Sequence, residues 1–246
     1  MRILILSDIH GNLQALNAVV EHAAGTYDNV VCLGDVVGYG ADPNAVSEWV
    51  RQNVALTIRG NHDRACVGDP VIEDFNDNAQ FSCLWTLERL TESNRTWLKE
   101  LPAGPQPFEG FYMCHGSPRD EDEYVTDRMT AISLFPFMPG NLCFFGHTHW
   151  QGGFRIAPGR MWVVEPPKHQ EQERIHFLDR DKAFLINPGS VGQPRDLDPR
   201  AGYAILDTDA WSVALRRTTY DIRKAQLTIL SAGLPHFLAG RLSEGL

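Results

Sequence analysis

The sequence predicts an α/β fold, and three observations carry that reading. Short Ile-, Val- and Leu-rich runs at residues 1–6, 29–33 and 54–58 alternate with two segments of helical periodicity. Polar residues gather directly after each of those runs, where open α/β sheets place their sites. Beyond residue 153 the apolar period shortens toward 2, the mark of further strands.

Taken in order, Met1-Arg-Ile-Leu-Ile-Leu6 reads as a buried strand. Asn12 is placed to cap a helix over 13–24, whose face is Leu13, Leu16, Val19 or Val20, and Ala23. Asn29–Leu33 is the second strand. Asp42-Pro43 marks a second helix start, with Val46, Trp49 and Val50 on its apolar side. Val54–Ile58 is the third strand, and right-handed crossovers would make the three parallel. Residues 77–100 read as one helix with Phe81, Leu84, Trp85 and Leu90 on one side, broken by Pro102 to Pro107. A strand at 111–114, a helix at about 126–137 and a strand at 142–145 follow. Strands are then expected at 154–157, 160–165, 175–178 and 184–186, with a polar loop over 166–174. A hairpin (202–207 with 212–217) and a helix capped by Asp221 complete the pattern. The apolar tail (Leu234, Phe237, Leu238, Leu242) is left to pack on its own core or on a partner. No repeat, low-complexity tract or linker interrupts the chain, so residues 1–246 read as one domain.

Composition narrows the function. Apolar residues make up 43% and charged residues 22%, ordinary for a soluble globular protein. The formal charge of −9 and the lack of a Lys/Arg stripe disfavour nucleic-acid binding and a nuclease. No run is long enough to span a membrane and the opening run is too short for a signal peptide, so a cytoplasmic location is expected. Cys32, Cys66, Cys83, Cys114 and Cys143 form no CxxC and read as core residues in a reducing compartment. There is no GxxxxGK[ST] and no HExxH, and Ser190 sits in a turn rather than a nucleophile elbow.

Five strand ends carry metal-type groups: Asp8 with His10, Asp35, Asn61 with His62, His115, and His147 with His149. In extended chain, residues i and i+2 point the same way, so Asp8 and His10 are expected to converge. Each group taken singly has an ordinary alternative. Asp8 could neighbour a cap, Asp35 and Asn61 could be turn residues, and the histidines could be core or solvent-facing. Taken together they are too many for one zinc, which takes four ligands. They suit two cations ~3.5–4 Å apart that share a ligand. Nitrogen and oxygen donors admit Mn, Fe, Zn, Ni or Co.

Asp8-x-His10, Gly34-Asp35, Gly60-Asn61-His62-Asp63, His115-Gly116 and Gly146-His147-x-His149 together resemble the calcineurin-like metallophosphoesterase superfamily. Asn187-Pro-Gly-Ser190 extends the likeness to its small bacterial phosphodiesterase-type members. The resemblance implies two mixed β-sheets packed as a sandwich with flanking helices, and two divalent metal ions per chain. Asp8, His10 and His149 would hold one metal. Asn61, His115 and His147 would hold the other, with Asp35 bridging and His62 facing the substrate phosphate.

The implied activity is hydrolysis of phosphodiester or phosphomonoester bonds by metal-activated hydroxide. Two cations carry about +4 and the two carboxylates remove only two charges, so the centre stays positive in an acidic protein. A protonated His62 would donate to the leaving oxygen or bind a phosphoryl oxygen, and Asp63 behind it would orient the ring or serve a structural turn. Arg195, Tyr39 and Tyr124 are candidate contacts to a phosphate-ester substrate with a nucleotide-like part, since arginine grips phosphate and tyrosine stacks on a base. An ordinary loop role is the alternative for each. Rival functions are a dinucleoside polyphosphate pyrophosphohydrolase, a protein phosphatase, and an inactive scaffold of the same fold. The last is disfavoured by the presence of His62.

Overall fold

The computed structural model describes residues 1–157 and 159–246. In chain order its strands are β1 (Arg2–Leu6), β2 (Asn29–Cys32), β3 (Leu56–Thr57), β4 (Gln106–Phe108), β5 (Phe111–Met113) and β6 (Leu142–Phe144). They continue as β7 (Gly152–Ala157), β8 (Arg160–Val164), β9 (Glu173–Phe177), β10 (Ala183–Asn187), β11 (Ala201–Asp207) and β12 (Ser212–Thr218). The helices are α1 (Leu13–Ala23), α2 (Pro43–Asn53), α3 (Asn61–Ala65), α4 (Asp77–Arg89), α5 (Glu92–Glu100), α6 (Arg128–Leu134), α7 (Ile222–Ser231) and α8 (His236–Gly240).

The strands form two six-stranded mixed sheets, in the orders β3-β2-β1-β11-β12-β9 and β4-β5-β6-β10-β7-β8. As expected, β1, β2 and β3 pair in parallel, and β11 with β12 is an antiparallel hairpin. The other neighbour of β1 is β11, paired antiparallel from Arg2 opposite Asp207 to Ile5 opposite Ala204.

Alternation along β1 shows why both sides of this sheet are covered. Ile3 and Ile5 pack with Phe111, Phe144 and Leu206 between the two sheets. Leu4 and Leu6 pack with Leu16, Val19 and Val46 under α1 and α2. A third cluster joins Cys143, Phe145 and Leu185 to Ala131 and Leu134 of α6 on the far face of the second sheet. The layers are therefore helix, sheet, sheet, helix. Burying each of these Leu, Ile or Phe side chains contributes about 1.5–3 kcal/mol. All five cysteines are free and buried, the core role expected of them. No helix among the described residues is long and apolar enough to cross a membrane.

Four elements depart from expectation. Residues 77–100 form two helices, because Thr91 accepts a hydrogen bond from Asn94 N at 3.3 Å and so caps a new one. The buried face of the first is Ala79, Ser82, Cys83 and Thr86, while Phe81 and Leu84 are 49% and 51% exposed. Small residues let this helix approach closely, which an apolar stripe alone does not reveal. The third strand keeps only Leu56 and Thr57. Asp127 caps α6 by accepting from Met129 N and Thr130 N, and the helix tightens to a 3-10 turn at Phe135–Phe137. The proline-rich stretch contains an edge strand, β4, where Pro107 loses nothing by lacking an N–H. The C-terminal segment packs on its own chain: Leu234, Leu238 and Leu242 are buried with Tyr39, Ala79 and Ile229.

Candidate metal centre

The C-terminal ends of β1, β2, β5 and β6 converge, together with the start of α3. The backbone does the aiming, and it does so differently from the extended geometry expected at Asp8 and His10. Asp8, His10, Asp35, His147 and His149 are all left-handed, with φ of 52°, 50°, 52°, 64° and 61°. A non-glycine residue held there costs of order 1–3 kcal/mol. Each turn swings its side chain out of the sheet toward one point.

Backbone bonds lock these turns. Asp8 N donates to Gly34 O, His10 N to Asp35 O, and Gly146 N to His115 O, at 2.8–3.1 Å. Val191 N and Gly192 N donate to Ser7 O and Asp8 O, both at 3.0 Å. Ser190 Oγ donates to Asp8 O at 2.8 Å, and Asn187 Nδ2 donates to Gly146 O and Thr148 Oγ1, both at 2.9 Å. The Asn-Pro-Gly-Ser turn thus clamps the first strand end to the His147–His149 loop, a positioning role that its sequence signalled only as a turn.

Two clusters of buried ligand atoms result. Asp8, His10, Asp35 and His149 offer atoms within 4.8 Å of one another, and so do Asp35, His115 and His147. Asp35 belongs to both. Its Oδ2 lies 3.5 Å from His10 Nε2 and 3.4 Å from His115 Nε2. Asn61 Oδ1 completes the second group, 3.1 Å from both His115 Nε2 and His147 Nδ1. All seven expected ligands are therefore brought together, in two sets with Asp35 between them.

The protonation pattern fits cations. Burial pushes His10 and His147 down to about 3 and holds His149 well below the usual histidine range, so all three are neutral. His10 Nδ1 donates to Val37 O at 3.1 Å, and His149 Nδ1 donates to Gln193 O at 2.6 Å. Their only ring hydrogens are then used, yet the two Nε2 atoms face each other at 3.1 Å. Lone pair against lone pair in a buried site repels unless a positive charge sits between them. Burial would lower His115 as well, but the Asp35 carboxylate beside it raises it to about 10. Burial alone would raise Asp35, and His115 with His62 outweighs it, holding that carboxyl well below its ordinary range. A cation would displace the His115 proton. Burial also pushes Asp8 up to about 6.

His62 sits beside the clusters and not in them. Its ring packs against Tyr39 and Phe75 at centroid distances of 4.4 and 4.5 Å, and its backbone N–H donates to Asp35 Oδ1 at 2.9 Å. Burial holds it well below the usual histidine range, which favours the neutral imidazole. The Cys83 thiol lies 3.4 Å from Nδ1. Asp63 takes the structural one of its two expected roles. Its carboxylate accepts from Val36 N, Val37 N and Gly60 N at 2.8–3.1 Å, so it fixes the loop carrying Asp35 rather than the His62 ring.

Close approach at Gly60 yields a direct expectation. A Cβ there would lie 2.1 Å from Asp35 Oδ1 and 2.6 Å from Asp35 N. Gly60→Ala is expected to lower affinity for added Mn²⁺ by ~10–100-fold, the usual cost of disturbing a ligand's support, read by metal titration.

Arg195, Tyr39 and Tyr124 line one pocket with Asn61 and His62. Arg195 donates to Tyr39 OH at 3.2 Å and to Gln193 Oε1 at 2.9 Å. Tyr124 stacks 3.9 Å from the His147 ring. Sequence reasoning missed the remaining wall: Asp74, Phe75, Phe237 and Arg241. None of these sits beside a signature block, and two come from the C-terminal segment. Arg200, the other arginine after the turn, is occupied by Asp198.

Comparison with known proteins agrees with this geometry. A profile of the calcineurin-like phosphoesterase superfamily domain matches residues 1–210. The chain belongs to that superfamily. It is 34% identical to the uncharacterized protein MJ0912 of Methanocaldococcus jannaschii, covering 99% of this chain and 98% of the relative. It is 25% identical to the phosphodiesterase YfcE of Escherichia coli K12, covering 87% and 91%. The crystal structure of a metallophosphoesterase from Sphaerobacter thermophilus superimposes with a TM-score of 0.86 at 39% identity, covering 100% of this chain and 99% of that one. The two-sheet architecture is shared with it, and family membership makes phosphate esters the substrate class.

Proposed function

We propose that the protein is a metal-dependent phosphoric ester hydrolase, a single unit over residues 1–246, that binds two divalent cations of the Mn, Fe, Zn, Ni or Co type. The observation that carries this reading is the facing pair His10 Nε2 and His149 Nε2, both without hydrogens, beside a carboxylate common to two ligand clusters. Asp8, His10, Asp35 and His149 would hold one cation; Asp35, Asn61, His115 and His147 the other. When bound, the cations supply positive charge to the phosphoryl oxygens and bring water's pKa toward ~7. The chain does the rest. Carbonyls of Val37, Leu33 and Gln193 fix the rings of His10, His115 and His149 by accepting their Nδ1 hydrogens. Neutral His62 carries an N–H that can be donated to a phosphoryl or leaving oxygen. Arg195 at the pocket wall orients the ester. Five reduced thiols suit the cytoplasm.

The test is turnover of bis-p-nitrophenyl phosphate with added Mn²⁺, before and after chelation. Chelation is expected to abolish turnover and lower the thermal midpoint, since a cation at 100 times its Kd stabilises by about 2.7 kcal/mol. Manganese should restore both. A metal-replete preparation that leaves phosphodiesters and phosphomonoesters intact refutes the proposal.

A further inference from the structure

Beside the metal ligands lies a cavity of ≈ 290 Å³ whose charge is unusual. Two guanidinium groups line it, those of Arg195 and Arg241, and no Asp or Glu side chain forms a salt bridge with either among the described residues. Arg195 donates only to neutral oxygens, Tyr39 OH and Gln193 Oε1. Arg241 uses its Nε on Leu246 O and stacks its guanidinium 5.1 Å from the Phe237 ring. Burial and the nearby Arg195 charge push Arg241 down to about 10, as expected of two like charges facing one half-buried space. Asp74 is the one carboxylate on the wall of this cavity, and it pairs with neither arginine.

The order of groups is informative. Arg195 abuts the metal ligands, its backbone N donating to His149 O at 3.5 Å. Arg241 enters from the C-terminal segment beside Phe237, which is 57% exposed. The cavity wall thus joins Asn61 of the ligand clusters to two guanidinium groups. Aromatic faces flank these groups at Tyr39, Phe75 and Phe237. A simple ester with one phosphoryl group would use only the first of these features.

From this the geometry points to a substrate bearing a second phosphoryl group: Arg195 and Arg241 clamp that group while the scissile one sits at the ligand clusters, and an aromatic-stacked nucleoside occupies the outer wall. The inference rests on the hydrolase reading above and refines its substrate. For a nucleoside diphosphate, water's oxygen bonds to the terminal phosphorus, the bridging P–O bond breaks, and the released nucleoside monophosphate and phosphate share out water's protons.

Equilibrium dialysis on the manganese-loaded protein tests the clamp without turnover. The ligands are the hydrolysis-resistant methylenephosphonate analogues of AMP and of adenosine 3′,5′-bisphosphate, and the α,β-methylene analogue of ADP. The wild type is expected to bind at least one of the two doubly phosphorylated ligands ~10-fold or more tighter than the AMP analogue, the scale of a bidentate arginine contact. The better one tells whether the second group is joined by an anhydride or by a separate ester. Arg241→Ala should shrink that preference to within about twofold, and Arg241→Lys should keep part of it. Ratios are read within each variant and the thermal midpoint checks folding, so a general loss of binding does not imitate the result. Equal affinity for all three ligands in the wild type, or an unchanged ratio in Arg241→Ala, overturns the inference. Wild-type turnover of phosphodiesters and phosphomonoesters is scored separately: absence of both removes the hydrolase reading, while dialysis still decides the clamp.

Discussion

Asp35→Asn is expected to strip both cations from the protein, leaving each below ~10% of wild-type occupancy and turnover down by ~10³-fold or more. Among the described residues, Asp35 is the only side chain common to both ligand clusters. Its Oδ2 stands within 3.5 Å of one histidine Nε2 from each. The amide removes a full negative charge from the buried site where the proposed cations would sit. It also forces a choice. With Nδ2 in the Oδ2 position, two hydrogens point where the cations belong; flipped, they oppose the backbone N–H of His62 that now donates to Oδ1 at 2.9 Å. Either orientation loses a contact. Elemental analysis by mass spectrometry reads the outcome, with exposed Asp209→Asn as a control that should retain both metals. Full occupancy of either site in Asp35→Asn would end the bridging role.

His62→Ala separates chemistry from metal binding. The ring lies outside both clusters, and the backbone N–H that supports Asp35 survives the substitution. Metal content should therefore stay near the wild-type value. Turnover of alkyl phosphate esters should fall by ~10²–10⁴-fold, the usual contribution of a positioned proton donor. Esters of p-nitrophenol, whose leaving group needs less help, should fall much less. Because His62 is neutral in its buried setting, the lost element is one N–H rather than a positive charge. His62→Gln, which keeps a side-chain N–H, should recover part of the alkyl-ester rate. An unchanged ratio between the two ester classes would remove His62 from the proton inventory.

Much of this site was legible in the sequence because its chemistry is local to strand ends. Apolar runs announced the strands, and Asp8, His10, Asp35, Asn61, His115, His147 and His149 each follow one directly. Periodicity could not supply the backbone state. Alternation along an extended strand suggested that Asp8 and His10 converge, and they do, but through left-handed turns that only the packed structure reveals. For Asp63 adjacency to His62 left two roles open, a side-chain pair or a structural turn, and its buried carboxylate answers three backbone donors from two loops. The break at Thr91 and the inward face of Ala79 and Cys83 were hidden because small residues carry little hydrophobic signal. Arg241 was beyond reach, since nothing in its own neighbourhood says that the C-terminal segment folds back over Tyr39.

The seating of β1 between β2 and β11 sets a timetable for biogenesis. During synthesis the ribosome delivers every proposed ligand by residue 149, yet the partner strand that fastens the far edge of β1 spans residues 201–207. The peptide groups that hold Ser7 and Asp8 in place come from Val191 and Gly192, also late. A nascent chain therefore owns a full complement of donors well before it owns the frame that aligns them. Closure of the cradle waits until residues 187–207 have emerged, well after the last proposed ligand.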